Sequence, residues 1–307
     1  MSRRGGVTDE FIEGVVTENR GAVFDVIVDG RVVQCTLRGR LKKGKQRDAS
    51  PIAAGDRVEL TMLEASRGIV ERVLARECDL SRAAAGSVPL RQTIAANVEQ
   101  AVIVFAAAEP RADLFLLDRF LVVATTGGLE LVICVNKCDL VEREALREQF
   151  GLYRDIGYCV LFTSAVTGEG LDDLRGALKD RRSVICGPSG VGKSSLLNAL
   201  APGLALRTAE VGPVTHKGRH TTRWARLVPL PFGGSVADTP GLRQLGFCEV
   251  SPEQVAAAFP DLLPHLGRCR FNDCSHRTEP GCALQEAASA GEIDQRRLRS
   301  FLQMGGR

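Results

Sequence analysis

Apolar and polar positions alternate differently in three stretches of the chain. Up to about residue 80 the period is close to two. Phe24, Val26 and Val28 alternate with Asp25, Ile27 and Asp29, which predicts a strand. Asp29-Gly30 predicts a turn before a second strand, Val32–Leu37. Another strand pair is predicted around Arg57–Met62 and Gly68–Leu74. Short strands without helical stretches between them predict a small OB-like barrel.

From about residue 97 apolar runs alternate with helical patterns. The runs Ala101–Phe105, Glu130–Val135, Val160–Phe162 and Ser183–Cys186 each precede a helical stretch. These stretches are Leu114–Thr125, Arg143–Phe150, Leu171–Leu178 and Lys193–Leu200. Continuous apolar strands separated by helices predict a parallel sheet covered on both faces. After about 247 the pattern breaks into short helical pieces, and Ser251-Pro252-Glu253 reads as a helix start. The predicted division is 1–82, 83–246 and 247–307.

Composition narrows this picture. The chain has 307 residues, 44% hydrophobic and 25% charged, which is ordinary for a globular protein with a real core. The balance of 40 basic and 37 acidic residues leaves a net charge of only +3. A nucleic-acid surface must therefore be local. Arg38–Arg47 carries six basic residues in ten and predicts a phosphate-contacting loop, helped by Arg296, Arg297 and Arg299. Aromatics make up 5%, which disfavours a broad base-stacking platform. The longest apolar candidate, Leu114–Val135, is broken by Asp118, Arg119, Gly127 and Gly128, so no membrane span is expected. The start, MSRRGGVTDE, has no apolar signal core, and a reducing cytoplasm is expected. Of ten cysteines, Cys134, Cys159 and Cys186 lie in apolar runs and read as small buried hydrophobes.

Gly187-Pro188-Ser189-Gly190-Val191-Gly192-Lys193-Ser194 fits G-x-x-x-x-G-K-[ST], between an apolar strand and a helix that continues through Ser195. Its backbone N–H groups would cradle phosphates at a helix N-terminus. Lys193 would reach the β/γ-phosphates and the Ser194 hydroxyl would bind Mg²⁺. Downstream, Asp238-Thr-Pro-Gly241 ends another apolar strand. Asp238 is placed to hold Mg²⁺ and the Gly241 N–H to meet the γ-phosphate. Between them, the polar stretch Val211–Arg223 holds Thr215, Thr221 and Thr222, candidates to close on Mg²⁺.

Asn136-Lys137-Cys138-Asp139 and Ser164-Ala165-Val-Thr-Gly168 each follow a predicted strand. The Asp139 carboxylate can accept from guanine N1–H and N2–H₂, a paired donor edge that adenine lacks. Asn136 supports O6/N7 recognition, the Lys137 stem covers the ring, and the Ala165 N–H reaches O6. These base-reading segments precede the phosphate loop, whereas ordinary small GTPases place them last. The order is that of a circular permutation.

Near the C-terminus, Cys269-x₄-Cys274-x-His276-x₅-Cys282 offers three thiolates and an imidazole. That is the composition of a closed structural Zn²⁺ site. His265 is a spare candidate, better read as a packed or solvated histidine.

This set of motifs, with Gly218-Arg-His-Thr-Thr222 between the phosphate loop and Asp238, resembles the RsgA (YjeQ) family of circularly permuted, small-ribosomal-subunit-dependent GTPases. The resemblance covers essentially the whole chain. It implies an α/β permuted GTPase domain, an N-terminal OB-fold and a C-terminal zinc domain. It also implies GTP/GDP as nucleotide, the 30S subunit and its 16S rRNA as partners, and a role in late subunit maturation with hydrolysis stimulated by the subunit. A monomer with no membrane association is expected. Arg223 stands where the family often has a third Thr, and Thr222 is preferred over Thr221 as the Mg²⁺ ligand. Leu242 occupies the position where many GTPases carry a water-orienting glutamine. His220, beside the threonines, is the candidate to reach the attacking water, with Arg219 as its rival. Lys193, Thr222 and His220 are the predicted catalytic residues. The alternative is a GTP/GDP-responsive rRNA-binding switch whose hydrolysis is incidental.

Overall fold

The computed structural model describes residues 11–39, 52–83, 91–204, 226–238 and 250–306. Residues 40–47 of the basic run lie outside them. So do Thr215, Arg219, His220, Thr221, Thr222, Gly241 and Leu242.

The N-terminal strands form a five-stranded barrel. They are β1 (Ile12–Asn19), β2 (Val23–Val28), β3 (Arg31–Leu37), β4 (Arg57–Glu64) and β5 (Arg67–Val73). The order is β1-β2-β3-β5-β4, closed by β4 pairing back onto β1. β3 and β5 are parallel and the other pairs antiparallel. That is the Greek-key order of an OB-fold. Val16, Phe24, Val26, Val33, Cys35, Val58, Leu60 and Val70 fill it. β1 had no strand prediction, because Glu13, Gly14 and Thr17 interrupt its apolar positions.

A two-stranded sheet, β6 (Asp79–Ala83) with β7 (Arg91–Ala96), follows. Arg76 forks onto the buried Asp56 at 2.7 and 2.9 Å and donates to the Thr93 hydroxyl at 2.8 Å. The Ala96 N–H donates to the Ala54 carbonyl at 2.8 Å. A side chain on Gly55, at φ +92°, would meet the Ala96 carbonyl oxygen at 1.9 Å. Close backbone approach therefore joins the barrel to the next domain.

The central domain is built on β8 (Gln100–Ala106), β9 (Glu130–Asn136), β10 (Cys159–Phe162), β11 (Arg182–Cys186), β12 (Arg226–Pro229) and β13 (Ser235–Asp238). Their order is β10-β9-β8-β11-β13-β12, parallel except for β12, which meets β1 of the barrel at Glu18 and Arg226. Successive residues of β8 point to opposite faces. Ile103 and Phe105 pack with Leu117 and Phe120 of α1 (Leu114–Thr126) and Phe150 of α2 (Arg143–Asp155). Val102 and Val104 pack with Leu174 of α3 (Leu171–Leu178) and Leu197 of α4 (Lys193–Leu200). The doubly covered parallel sheet read from the sequence is present. Cys134 and Cys186 are buried as expected, but Cys159 is exposed because it opens the edge strand β10.

The C-terminal module contains α5 (Pro252–Ala257), α6 (Ala283–Ala290) and α7 (Gln295–Gln303). Ser251 caps α5 in a capping box with Gln254. Val255, Phe259, Leu284, Leu298 and Phe301 form its core together with Cys274 and Cys282, and Val122 of α1 belongs to the same cluster. Arg297 corrects the sequence reading. It is fully buried between Asp118 and Asp261, at 2.7 and 2.6 Å, and offers no surface to RNA. Arg38, the described start of the basic run, pairs with Glu71. Among the described residues no helix is long and apolar enough to cross a membrane.

Candidate nucleotide site and metal centre

Parallel strands bring their C-terminal ends to one edge, where α/β sheets bind ligands. β8 ends beside β9, whose last residue is Asn136. β11 leads into Gly187, and Val184 sits opposite Ala237, so the backbone of Asp238 ends beside the phosphate loop. α4 begins at Lys193 after its N-cap Gly192, with its N-terminal N–H groups and partial positive charge at the same edge.

The glycines of the phosphate loop are required by their neighbours as well as by an anion. A Cβ on Gly187 (φ +138°) would lie 2.0 Å from the Val104 carbonyl oxygen. One on Gly192 (φ +94°) would lie 2.3 Å from Asn136 Nδ2. The Lys193 ammonium donates to the carbonyls of Gly187 and Pro188 at 2.8 and 2.6 Å, which holds it over the loop.

A cavity of about 250 Å³ opens next to this loop, lined by Asn136, Lys137, Asp139, Leu140, Ala165, Val166, Gly192 and Ser195. Asn136 is buried and ties three segments together. Its Nδ2 donates to the Val191 carbonyl at 2.9 Å, and its Oδ1 accepts from the Ala165 N–H at 3.2 Å. Ser164 donates to Asp139 Oδ1 at 2.5 Å, leaving the exposed carboxylate directed by a buried hydroxyl. The same Ser164 oxygen accepts from Thr167 N–H at 3.1 Å. Lys137 takes a left-handed conformation (φ 63°) and donates to the Glu109 carbonyl. The sequence-predicted Asn136, Lys137, Asp139, Ser164, Ala165 and the phosphate loop thus converge on one cleft. Leu140, Val166 and the Glu109 carbonyl were not foreseen. A backbone carbonyl leaves no side-chain signature, Leu140 follows directly on the Asn136–Asp139 motif, and Val166 lies within Ser164–Gly168 as an apolar residue with no polar group to read a base.

The second cluster lies in the C-terminal module. One ligand atom each from Cys269, Cys274, His276 and Cys282 fall within 4.8 Å of one another. Cys269 and Cys282 sulfurs are 3.9 Å apart, and His276 Nδ1 lies 3.4 and 3.5 Å from them. A Zn²⁺ tetrahedron has edges of roughly 3.8 Å between sulfurs and roughly 3.6 Å from sulfur to nitrogen. The four residues therefore fit that ion. Burial pushes the Cys274 thiol up to about 11. His265 is not in the cluster and faces Glu292 at 3.9 Å instead. Glu279, not foreseen, organises the knuckle. Its carboxylate accepts from the Ser275 hydroxyl, from Ser275 N–H at 2.9 Å, Arg277 N–H at 3.0 Å and Thr278 N–H at 3.1 Å.

Comparison with known proteins agrees with this geometry. Residues 73–248 match the model of the RsgA GTPase family. The chain is 44% identical over 294 residues to a small ribosomal subunit biogenesis GTPase RsgA of Gemmatimonas aurantiaca, covering 95% of each chain. It is 45% identical over 293 residues to the protein of that name from Moorella thermoacetica, again covering 95% of each. The crystal structure of YjeQ from Thermotoga maritima superposes with a TM-score of 0.77 at 34% identity, over 96% of this chain and 97% of that one. YloQ, described as a circularly permuted GTPase, superposes with a TM-score of 0.73 at 30% identity, over 99% and 97%.

Proposed function

The chain belongs to the RsgA GTPase family, and from that membership we propose that it hydrolyses GTP on the small (30S) ribosomal subunit as a late assembly factor. The observation that carries this reading is the Ser164-held Asp139 carboxylate in a cleft continuous with the phosphate loop. This arrangement favours guanine over adenine and presents the phosphates at the α4 N-terminus.

The roles follow from the chemistry of the groups. Asp139 and Asn136 read the base, Lys137 covers it, and Ala165 N–H meets O6. Gly187 to Ser195 wrap the phosphates, and Lys193 neutralises the β/γ oxygens. Ser194, Thr222 and Asp238 would hold Mg²⁺, which when bound neutralises charge between the β- and γ-phosphates. Gly241 N–H meets the γ-phosphate. Leu242 cannot hydrogen-bond water, so His220 orients the attacking water, and Arg219 is the alternative source of charge stabilisation. Cys269, Cys274, His276 and Cys282 would hold one Zn²⁺, which ties a small module together with no open catalytic position. The division into 1–82, 83–246 and 247–307, a monomeric state, 16S rRNA as the contacted surface and a cytoplasmic location complete the reading.

Co-sedimentation with purified 30S subunits tests it. More protein should pellet with a non-hydrolysable GTP analogue than with GDP. Equal pelleting in every nucleotide state contradicts a GTP-dependent assembly role.

A further inference from the structure

Two arginines near the C-terminus reach back to α1 of the central domain. Asp118, fully buried, accepts from Arg297 at 2.7 Å, from Arg296 at 3.1 Å and from the Tyr153 hydroxyl at 2.7 Å. Arg297 also forks onto Asp261 at 3.1 and 2.6 Å, and its guanidinium lies 4.1 Å from the Phe259 ring centroid. Phe259 packs edge-on against Phe301 at 5.4 Å, and Phe301 lies 6.4 Å from the His276 ring. A continuous packed path therefore runs from the cysteine-histidine cluster to the middle of α1.

α1 is also the rod that ends at the nucleotide cleft. Leu117, Phe120 and Leu121 sit in the core of the central domain, while Val122 sits in the core of the C-terminal module. Asp113 caps the helix by accepting from Phe115 and Leu116 N–H at 3.0 and 3.1 Å. The short segment before it is fixed at its start by Ala107 N–H donating to the Asn136 carbonyl at 2.8 Å. Its Glu109 carbonyl receives the Lys137 ammonium. Pro110 Cδ lies 3.7 Å from the position of a Cβ on Gly190 of the phosphate loop. A 13-residue helix is stiff over its length of roughly 20 Å. A displacement imposed at Asp118 is therefore carried to the carbonyl from which Lys137 hangs.

We infer that Asp118 and Arg297 are positioning residues for the nucleotide site, fixing α1 so that the Glu109 carbonyl orients Lys137 over the base. This rests on the guanine-site reading of the cleft. Because coupling between sites is reciprocal, bound nucleotide tightens the grip of the C-terminal module on α1 by the same factor. A buried ion pair used only as glue between domains would change stability and leave nucleotide affinity alone.

The test measures binding of a fluorescent GDP analogue to the full chain. Competition by GTP and not ATP in the wild type checks the guanine reading separately, so a failure of that reading is seen before the variants are compared. Asp118→Asn and Arg297→Met are expected to weaken GDP by about 5-fold or more, the usual lower scale of coupling between sites. Ile293→Ala, which removes apolar bulk from the same module core, should lower the melting temperature while changing GDP affinity less than about 2-fold. On a Lys137→Met background, Asp118→Asn should add no further loss, because both changes act on one contact. Hydrogen exchange in the 107–113 segment should rise in Asp118→Asn. Unchanged GDP affinity in folded Asp118→Asn and Arg297→Met overturns the inference. So does a loss that adds fully to that of Lys137→Met. Arg297→Lys keeps a cation between the two carboxylates and should recover part of the affinity; if Arg297→Met does not fold, a GDP affinity in Arg297→Lys no weaker than wild type overturns the inference on its own.

Discussion

Ser164 donates its hydroxyl to Asp139 Oδ1 at 2.5 Å, so one of the two loops proposed to read the base aims the carboxylate of the other. Base specificity is expected to depend on both residues. Asp139→Asn removes the carboxylate proposed to accept two hydrogen bonds from guanine, so GTP affinity should fall by about 10²-fold or more. The same variant should gain xanthosine triphosphate, whose O2 replaces the guanine 2-amino donor. Competition binding with GTP, ATP and xanthosine triphosphate checks this. Equal ATP and GTP affinity in the wild type contradicts the assignment. Ser164→Ala should weaken GTP less than Asp139→Asn, because the carboxylate remains but is no longer held.

The metal centre is expected to depend on a residue that is not a ligand. Hydrogen bonds from the Ser275 side chain and from backbone N–H groups hold the Glu279 carboxyl at about 2, so it is a carboxylate throughout the neutral range. Those bonds fix the turn from which His276 projects at φ 60°. Glu279→Gln should cost about 10-fold in zinc affinity, the lower end for groups that orient ligands. Cys274→Ala/Cys282→Ala should abolish stoichiometric binding. Chelator competition followed by metal analysis reads both, and full zinc content in the double variant would remove the site.

Much of this was legible in the sequence, and what was not has physical causes. The phosphate loop, Asn136, Asp139 and the four candidate zinc ligands are local motifs whose spacing carries their chemistry, and the structure brings each set together. Arg297 was misread because its two carboxylate partners lie far away in the chain, at 118 and 261. Its helix did hold a signal. Arg297 falls on the same face as Leu298 and Phe301, the stripe that enters the core. β1 escaped because barrel strands bury single residues such as Val16 rather than apolar runs. Glu109 acts through its backbone, which composition and periodicity do not report.

Binding to the subunit is expected to be salt-dependent, with phosphate contacts drawn from the Arg38–Arg47 run and not from Arg297. Neutralising Lys42, Lys43 and Lys45 removes three cations and should reduce the slope of log affinity against log salt by about 2–3. GTP binding by the free protein should not change. An unaltered slope moves the RNA surface elsewhere on the molecule.

Hydrolysis is expected to require His220. With Leu242 unable to hold water, His220→Ala should cut subunit-stimulated kcat by about 10²–10⁴-fold, the usual range for a positioned acid–base group. GTP affinity and subunit binding should hold. Turnover surviving His220→Ala within a few-fold, with loss on Arg219→Ala, reassigns the effect to charge stabilisation by Arg219.

Whether the small subunit completes this GTPase is read from steady-state GTP turnover with and without purified 30S subunits. At fixed salt and saturating GTP, subunits are expected to raise kcat by about 10²-fold or more, within the scale reached by GTPase sites completed by a partner. Identical rates with and without subunits, under conditions where sedimentation shows the protein bound, would contradict the account.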